Sequence, residues 1–515
     1  MKGLGKMITN SELILGPPGT GKTYTLMERV NDYFEEGGAP HRFAFVSFTR
    51  KSIQEAMERA CLKFNLKPKE LPHCRTLHAT AFHGLGLQTA DVMGADDYRK
   101  LSGILRLDLL AKDGIDVADG LPKTMLSGSG AQYLNIIDRA RSRLVSLEQE
   151  FNDSGNHSLA FSKLENVEAT LTKYKTQEAK LDFGDFISRY VELVIPPELD
   201  VLIVDEAQDL TPSQWQMVSK MSEHAKRTII AGDDDQAIHE WTGVDVNKFL
   251  SASKKQTVLS QSHRMPRVVH DLSQRIVKRI DNRISKEFEP TEREGKVTYH
   301  MNFETVPMYE GSWTLMARTN SYAWEMAKQV RAYGYLYSFR GRSSVSEAVA
   351  DGIDVWRKLQ AGERVSRMRV KELYKNVPKM GDYRVVKRGA TGLLDAAADD
   401  AMLSYDELVS EFGLVAPIDR PATDVMNLGT EDRLYIQSIE ARGERITDTP
   451  RIKISTIHAM KGGEDENCLV YLGSTKACLE GKNPDAEHRV FYVAVTRTKE
   501  NLHILESDKR YRYML

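Results

Sequence analysis

The feature that most constrains this chain is residues 16–23, which read GPPGTGKT. The apolar run at residues 11–15 predicts a short buried strand before this segment, and residues 24–34 have the apolar spacing of a helix after it. Glycines between a strand and a helix let the backbone wrap closely around an anion, with amide N–H groups and a helix N-terminus facing it. The segment therefore predicts a phosphate-binding loop in an α/β fold.

The side chains of this loop predict the chemistry of the ligand. Lys22 would reach the β- and γ-phosphates of a nucleotide, and the Thr23 hydroxyl would ligate Mg²⁺. The alternative is a glycine-rich turn that binds nothing. The pattern favours ATP with Mg²⁺, and the predicted cradle is Gly16, Pro17, Pro18, Gly19, Thr20, Gly21, Lys22 and Thr23.

A second motif, VLIVDEAQD at residues 201–209, supplies two carboxylates. Asp205 and Glu206 follow an apolar run of strand length, so we expect them at the carboxyl end of a central parallel strand, where open α/β sheets bind ligands. Alone, such a pair is often a solvated strand end. Together with a phosphate loop, Asp205 is expected to be a Mg²⁺ partner and Glu206 the base that activates the attacking water.

Length and composition limit the remaining possibilities. The length of 515 residues predicts three or four domains. No apolar run approaches the length of a membrane span, and the first ten residues lack the apolar core of a signal peptide. The four cysteines show no CxxC spacing, which argues against a zinc site, an iron–sulfur cluster or a disulfide framework and favours a reducing cytoplasm, in a bacterium or a phage-infected host. The net charge of −2 means that any nucleic acid must bind in a local groove.

Further strings appear in a fixed order along the chain: FAFVSFTRKSIQEAM (43–57), CRTLHATAFH (74–83), LDFGDFI (181–187), AGDDDQAIHEWTG (231–243), LSQSHRMP (259–266), WTLMARTNS (313–321), KISTIHAMKGGEDENCLVYLG (453–473) and HRVFYVAVTRTKENLHIL (488–505). This series resembles the superfamily 1 DNA helicases of the UvrD/Rep/PcrA type. The resemblance implies an α/β fold with two RecA-like P-loop NTPase domains, whose parallel sheets are each interrupted by a mostly helical insertion. We expect the first domain at 1–85 and 180–265 with its insertion at 86–179, and the second at 266–345 and 446–515 with a shortened insertion at 346–445.

The resemblance also assigns residues to the nucleotide site. Gln236 matches the family's γ-phosphate sensor. Arg264 and Arg497 match two arginines that reach the γ-phosphate from the second domain and neutralise charge on the transferred phosphoryl group. Glu464 matches a ribose-contacting carboxylate, and Arg318 is a weaker candidate for the same interface.

A further set of residues falls on motifs through which the family contacts DNA. Trp241 matches an aromatic on which a base stacks, although a lone Trp is more often part of a core. The polar members could equally be structural groups. The remaining predicted DNA contacts are Phe48, Thr49, Arg50, Thr76, His78 and His458.

Several positions depart from the family pattern. The first ten residues contain no glutamine that could read adenine. Tyr24 replaces the usual Arg after the phosphate loop, and His263 replaces a Tyr, so the base would be held mainly by stacking between these two side chains. Thr242 and His239 replace the Arg and Tyr that flank Trp241 in relatives.

One basic stretch, residues 364–388, holds nine Lys and Arg against two acids, and an acid-rich segment follows it. It is either a solvated helical face or a surface that contacts the phosphate backbone.

Two functions fit these observations. The leading hypothesis is an ATP-dependent translocase that moves 3′ to 5′ on single-stranded DNA, acts at single/double-strand junctions and separates duplex strands, with replication or repair proteins as partners and no membrane. The alternative is an ATP-driven module that displaces proteins with little processive unwinding. A kinase is disfavoured by the two arginines and the stacking Trp, and a fused nuclease by the lack of a carboxylate–lysine cluster.

Overall fold

The computed structural model describes residues 8, 10–47, 50–114, 121, 123–155, 158–381, 383–481 and 483–515. The chain divides into two compact units, of which the first comprises Met1–Glu294 and Lys482–Thr496 and the second Gly295–Gly481 and Arg497–Leu515. Each unit is built around one large sheet. Among the described residues, no helix is long and apolar enough to cross a membrane.

The first unit contains a six-stranded parallel sheet with the strand order β3-β2-β6-β7-β1-β8. A separate antiparallel hairpin, β4–β5, lies in the predicted first insertion and was not predicted from the sequence. The strands are β1 Ser11–Leu15, β2 Phe43–Ser47, β3 His73–Thr76, β4 Leu110–Lys112, β5 Met125–Ser127, β6 Leu199–Asp205, β7 Ala225–Gly232 and β8 Lys255–Val258.

The central strands of this sheet are apolar on both faces because helices cover both sides. Side chains alternate between the faces, so Leu202 and Val204 of β6 belong to one core cluster and Val201 and Ile203 to the other. The helices of the first unit are α1 Lys22–Glu35, α2 Arg50–Phe64, α3 Leu77–Gly84, α4 Ala95–Leu105, α5 Ala131–Arg143, α6 Leu147–Ser154, α7 Phe161–Glu178, α8 Asp185–Leu193, α9 Pro212–Ser222, α10 Val246–Leu250 and α11 Arg267–Val277.

Helices α4 to α7 have a core of their own, which includes Tyr98, Leu134 and Leu171. This separate cluster is consistent with the predicted helical insertion between residues 86 and 179. The finer domain boundaries stay a prediction.

The second unit contains a seven-stranded sheet with the order β12-β11-β15-β10-β16-β17-β9, in which only the β11–β12 pair is antiparallel. Its strands are β9 Lys296–His300, β10 Trp313–Ala317, β11 Tyr337–Phe339, β12 Arg342–Ser343, β13 Val365–Ser366, β14 Met402–Leu403, β15 Ile452–Thr456, β16 Asp465–Tyr471 and β17 Thr498–Leu505, with β13 and β14 forming a small separate pair.

The helices of the second unit lie mostly between β12 and β15. They are α12 Asn320–Ala332, α13 Glu347–Gln360, α14 Arg367–Asn376, α15 Ala390–Leu393, α16 Tyr405–Ser410, α17 Ala422–Val425, α18 Thr430–Ala441 and α19 Lys476–Leu479. The last helix, α20 Pro484–Val495, belongs to the first unit although it lies between the two segments of the second unit in sequence.

Candidate nucleotide and DNA site

The phosphate loop connects β1 to α1, as the sequence predicts. Gly19 and Gly21 have φ angles of 74° and 78°, in the left-handed region that favours glycine. A Cβ on Gly19 would lie 2.5 Å from the Cβ of Arg264, so a larger residue is excluded by contact as well as by backbone conformation. The Thr20 hydroxyl donates to the carbonyl of Pro17 at 2.8 Å and braces the turn. The loop therefore has the backbone of an anion cradle.

The two predicted carboxylates lie directly against the lysine of this loop. Asp205 ends β6, is 1% exposed, and lies 3.1 Å from Lys22 Nζ through Oδ1. Glu206 follows with a left-handed φ of 52°, which is uncommon for a non-glycine residue, and its Oε1 also accepts a hydrogen bond from Lys22. The sequence separates these residues widely, but parallel pairing of β1, β7 and β6 brings their carboxyl ends to one edge.

The ionisation of this cluster follows from its burial. Burial lowers the pKa of the Lys22 ammonium, but the carboxylates of Asp205 and Glu206 outweigh it and hold that pKa above its ordinary value. Burial raises the pKa of Asp205, with an opposing effect of Lys22 and a reinforcing one of Glu206. Lys22 is therefore a fixed positive charge at the predicted phosphate position. The Thr23 hydroxyl and the Asp205 carboxylate offer the hard oxygen ligands that Mg²⁺ prefers, so these residue types fit the predicted metal.

The segment that follows β8 packs on the phosphate loop within the first unit. The His263 amide donates to the Gly19 carbonyl at 2.8 Å, and the Ser262 hydroxyl donates to the Pro18 carbonyl at 2.9 Å. Arg264 is half-buried and its guanidinium lies 3.5 Å from the Thr496 carbonyl. Arg264 lies in the first compact unit, whereas Arg497 lies in the second. The predicted contacts of both arginines with the γ-phosphate stay a prediction.

Two exposed rings flank the start of α1. His263 is exposed and Tyr24 is 64% exposed. A Cβ on Gly21 would lie 3.9 Å from both His263 Cδ2 and Tyr24 Cβ, so the two side chains both lie close to this glycine. The arrangement is compatible with a base held between them, which stays a prediction.

The turn after β7 carries three consecutive buried aspartates, Asp233, Asp234 and Asp235, whose carboxylates cluster closely. Their spacing would suit a cation, but the ammonium of Lys286, 1% exposed, lies 3.1 Å from Asp233 and 2.8 Å from Asp235 and also pairs with Asp234. Burial raises the pKa of Asp234 to about 6, against the opposing effect of Lys286. A protein cation therefore occupies the centre of this cluster. Lys286 could not be predicted as a partner of these aspartates, because it lies 52 residues after Asp234 in the sequence.

The turn after β7, residues 233–243, carries Gln236 and Trp241 in two successive 3₁₀ helices, Asp234–Gln236 and Glu240–Thr242. Gln236 Nε2 donates to Asp233 Oδ2 at 2.7 Å. Trp241 is 64% exposed and makes an edge contact with His239, with ring centroids 6.3 Å apart. Trp241 is thus outside the core, which removes the alternative that the sequence left open.

Of the predicted DNA contacts on the strings at 43–57 and 74–83, the structure describes the side chains of Thr76 and His78. Thr76 is 2% exposed and its hydroxyl accepts from the Ala79 amide at the start of α3, which favours its structural role. His78 stacks on Phe183 at 4.2 Å, and Lys123 lies 4.4 Å from the same ring. Phe48 and Thr49, and the side chain of Arg50, lie outside the described residues.

His78 and Phe183 line a cavity of about 260 Å³ beside the end of β2. Lys123, Asp138 and Thr242 also line this cavity. Burial, and secondarily the Asp182 carboxylate, raise the pKa of Asp138 to about 7. Phe183 was not singled out as a ligand from the sequence, although the LDFGDFI string contains it. Stacked rings, a cation and polar groups form a surface that suits an unstacked base.

The second unit holds the remaining predicted residues. Arg497 is 2% exposed and donates to the Gly463 carbonyl at 3.4 Å. Glu464 is exposed and lies 2.7 Å from Lys499. Arg318 directly follows β10, and His458 begins a short 3₁₀ helix, His458–Met460, after β15. The β10–β15 pairing brings Ala317 opposite Thr456, so Arg318 and His458 lie at the same sheet edge.

Most of the basic stretch 364–388 is neutralised by neighbouring acids. Five of its cations form ion pairs, whereas Lys379, Arg384, Lys387 and Arg388 form none with the described residues. The pairs are Arg364–Glu407, Arg367–Asp395, Arg367–Asp399, Arg369–Asp351, Arg369–Asp354, Lys371–Asp395 and Lys375–Glu372.

Parallel sheets, a phosphate loop and paired carboxylates at the strand ends define a P-loop nucleotide-binding protein. The model of the UvrD/REP helicase N-terminal domain matches residues 5–257, and the model of the UvrD-like helicase C-terminal domain matches residues 424–509. The chain belongs to the UvrD/Rep helicase family, and its two sheets are the RecA-like domains of that family.

Individual relatives are distant and longer than this chain. YjcD of Bacillus subtilis (strain 168) is 24% identical over 313 residues, covering 55% of this chain and 39% of YjcD. The ATP-dependent DNA helicase PcrA of the same organism is 24% identical over 318 residues, covering 56% and 40%. The chain thus spans about two fifths of the length of these relatives. A crystal structure of Arterivirus nonstructural protein 10 (helicase) aligns over 97% of this chain and 60% of its own, at 12% identity and a TM-score of 0.35.

Proposed function

We propose that this protein is a DNA-stimulated ATPase that moves 3′ to 5′ along single-stranded DNA and separates duplex strands. The observation that carries the proposal is the connection between two sites. Lys22, Asp205 and Glu206 form the nucleotide site. Hydrogen bonds through Gln208 lead from Glu206 to Asp233, at the start of the turn after β7 in which the exposed Trp241 lies eight residues further on.

In this proposal the chain hydrolyses ATP at the phosphate loop. Lys22 exchanges its carboxylate partners for the β- and γ-phosphates, and Glu206 orients and deprotonates the attacking water. Arg264 is near the loop and neutralises charge on the transferred group, and Arg497 has the same role from the second unit. Thr23 and Asp205 would hold Mg²⁺, which when bound neutralises phosphate charge.

DNA binding rests on aromatic side chains that solvent can reach. Trp241 offers one stacking face, and the His78–Phe183 pair offers another beside the cavity. Stacking tolerates any base sequence, which suits a motor that must pass along every sequence. His458 extends the contact to the second unit. We propose single-stranded DNA and single/double-strand junctions as substrates, and replication or repair proteins as partners.

The first test is ATP hydrolysis by the wild type and by Lys22→Ala, with and without oligo(dT). We expect hydrolysis that DNA stimulates in the wild type and none above background in the variant. Wild-type hydrolysis that ignores DNA would contradict the proposal.

The second test separates strand separation from protein displacement. Duplexes with a 3′ or a 5′ single-stranded tail report unwinding and polarity, and streptavidin on a 3′- or 5′-biotinylated oligonucleotide reports translocation without unwinding. We expect unwinding from the 3′ tail. Streptavidin release without unwinding would instead support the protein-displacing alternative.

A further inference from the structure

Gln208 occupies a position that links the catalytic carboxylate to the turn after β7. It lies in the short 3₁₀ helix Ala207–Asp209, immediately after Glu206, and is 1% exposed. Its Nε2 donates to Glu206 Oε2 at 2.6 Å, and its Oε1 accepts from the Asp233 amide at 3.1 Å. One amide therefore spans the ends of two neighbouring strands, β6 and β7.

The far end of this link is firmly held. The carboxylate of Asp233 accepts from Gln236 Nε2 at 2.7 Å and from the Asp235 amide at 3.2 Å, and it lies 3.1 Å from Lys286 Nζ. The arginine side chain of Arg283 makes two hydrogen bonds to Asp235, at 2.8 and 2.7 Å. Charge-assisted bonds of this kind are short and directional, so the turn should move as one body. A displacement of the turn would then move the Asp233 amide and, with it, the side chain of Gln208.

The residue beside the Gln208 side chain is a glycine, Gly232, which leaves room for the amide. A Cβ on Gly232, the last residue of β7, would lie 2.2 Å from Gln208 Oε1. The Gly232 backbone is also engaged, since its carbonyl accepts from the Gly16 amide at 2.9 Å. The Gln208 amide thus occupies space that any other residue at 232 would fill, beside the phosphate loop.

We propose that Gln208 is a positioning residue, which holds the Glu206 carboxylate in its productive orientation and transmits to it the state of the turn bearing Gln236 and Trp241. This inference rests on the proposed function and extends it with a route for DNA stimulation. A base that is displaced by about 1 Å can lose roughly 100-fold in rate, so a single buried amide can control hydrolysis without touching the nucleotide.

Two substitutions separate the two ends of the link. Gln208→Glu keeps an acceptor for the Asp233 amide but removes the donor to Glu206, and Gln208→Met keeps the volume and removes both bonds. In saturating oligo(dT) we expect kcat to fall by roughly 10- to 100-fold in both variants. KM and the Kd of a fluorescent N-methylanthraniloyl-ATP should change less than about threefold, because the amide does not contact the nucleotide.

A double-mutant cycle distinguishes positioning from a packing role. If Gln208 acts through Glu206, then Gln208→Met should not lower further the residual hydrolysis of Glu206→Gln, measured in single turnover with enzyme in excess over ATP. Independent effects that multiply would overturn the inference. The same holds if either Gln208 variant has wild-type kcat in the presence of DNA.

Two further variants keep the test decisive. Gly232→Ala pushes on the amide from the neighbouring strand β7 and should also lower kcat, which matters if a Gln208 variant folds poorly. Because its Cβ would also lie 2.8 Å from the buried Phe249 ring, its free energy of unfolding is measured beside its kcat. Gln360→Met is a control of the same chemical change: Gln360 is an exposed residue of the second unit and donates to two backbone carbonyls, Ile418 and Arg420. It should leave kcat unchanged. If the wild type shows no DNA stimulation, the proposed function fails, whereas the effect of Gln208 on basal kcat still decides the positioning role.

Discussion

Replacing Trp241 with alanine tests the proposed DNA contact with little risk to the fold. The side chain is 64% exposed, and its ring contact among the described residues is the edge contact with His239. Exposed substitutions usually change the free energy of unfolding by less than about 0.5 kcal/mol. A lost base stack costs roughly 1–3 kcal/mol, which corresponds to a rise in Kd for single-stranded DNA of about 5- to 150-fold.

Fluorescence anisotropy of a labelled oligo(dT) at fixed salt concentration measures this Kd, because phosphate contacts make the affinity salt-dependent. Trp324, 50% exposed on α12 of the second unit, provides a matched control as Trp324→Ala. Trp241→Phe retains an aromatic face and should recover most of the affinity. An unchanged Kd in Trp241→Ala, or an equal loss in the Trp324 control, would refute the assignment of Trp241 to DNA.

Three more predictions follow from the same structure. Glu206→Gln should bind Mg·ATP but lose hydrolysis, since the amide cannot accept a proton; near wild-type turnover would show that the base is elsewhere. If the base is held mainly by stacking between Tyr24 and His263, GTP should support DNA-stimulated hydrolysis, and an ATP preference above about a thousandfold in kcat/KM would mean that specific hydrogen bonds read adenine. Burial, then His300, lower the pKa of the buried His503 from 6.5 to about 4, so the unfolded state binds the extra proton first. The contribution of neutral His503 to the free energy of unfolding should therefore be fully present above pH 6.5 and be lost as the pH drops towards 4, by on the order of 2 kcal/mol between pH 7 and pH 5. In urea unfolding, His503→Gln should lose less stability than the wild type over this pH range. The same pH dependence in both proteins would show that His503 is not the group responsible.

The local parts of the site could be predicted because their determinants are contiguous in the sequence. The strand at residues 11–15 and the helix after the phosphate loop were both correct, because glycines and a lysine between a strand and a helix leave few conformations. Asp205 and Glu206 also lie where parallel-sheet topology places them, at a carboxyl end beside Lys22.

The connections between distant segments could not be predicted. Nothing in the sequence distinguishes Gln208 from other polar residues; its role depends on the pairing of β7 with β6, which brings the Asp233 amide to 3.1 Å from its side chain. In the same way, Lys286 lies in a polar segment of the sequence, and only the fold places it among three aspartates. The order of the strands in the sheet, and the packing of a distant segment against a turn, depend on tertiary structure. Neither residue type nor hydrophobic periodicity predicts them.

The basic stretch on and after α14 shows why charge along a sequence overstates charge in space. Arg367 and Lys371 both pair with Asp395, and Arg369 pairs with Asp351 and Asp354 on α13. The negative charge of each carboxylate therefore largely cancels the positive potential of its partner. A DNA phosphate would have to displace these carboxylates before it could pair with the cations, which reduces the binding free energy that the cations can supply. The exposed ion pairs themselves contribute little to the stability of the fold. Among the described residues, the cations of this stretch that form no ion pair are those from Lys379 onward. The acids that neutralise α14 come from both sides of it in sequence, which a count over a single window cannot reveal.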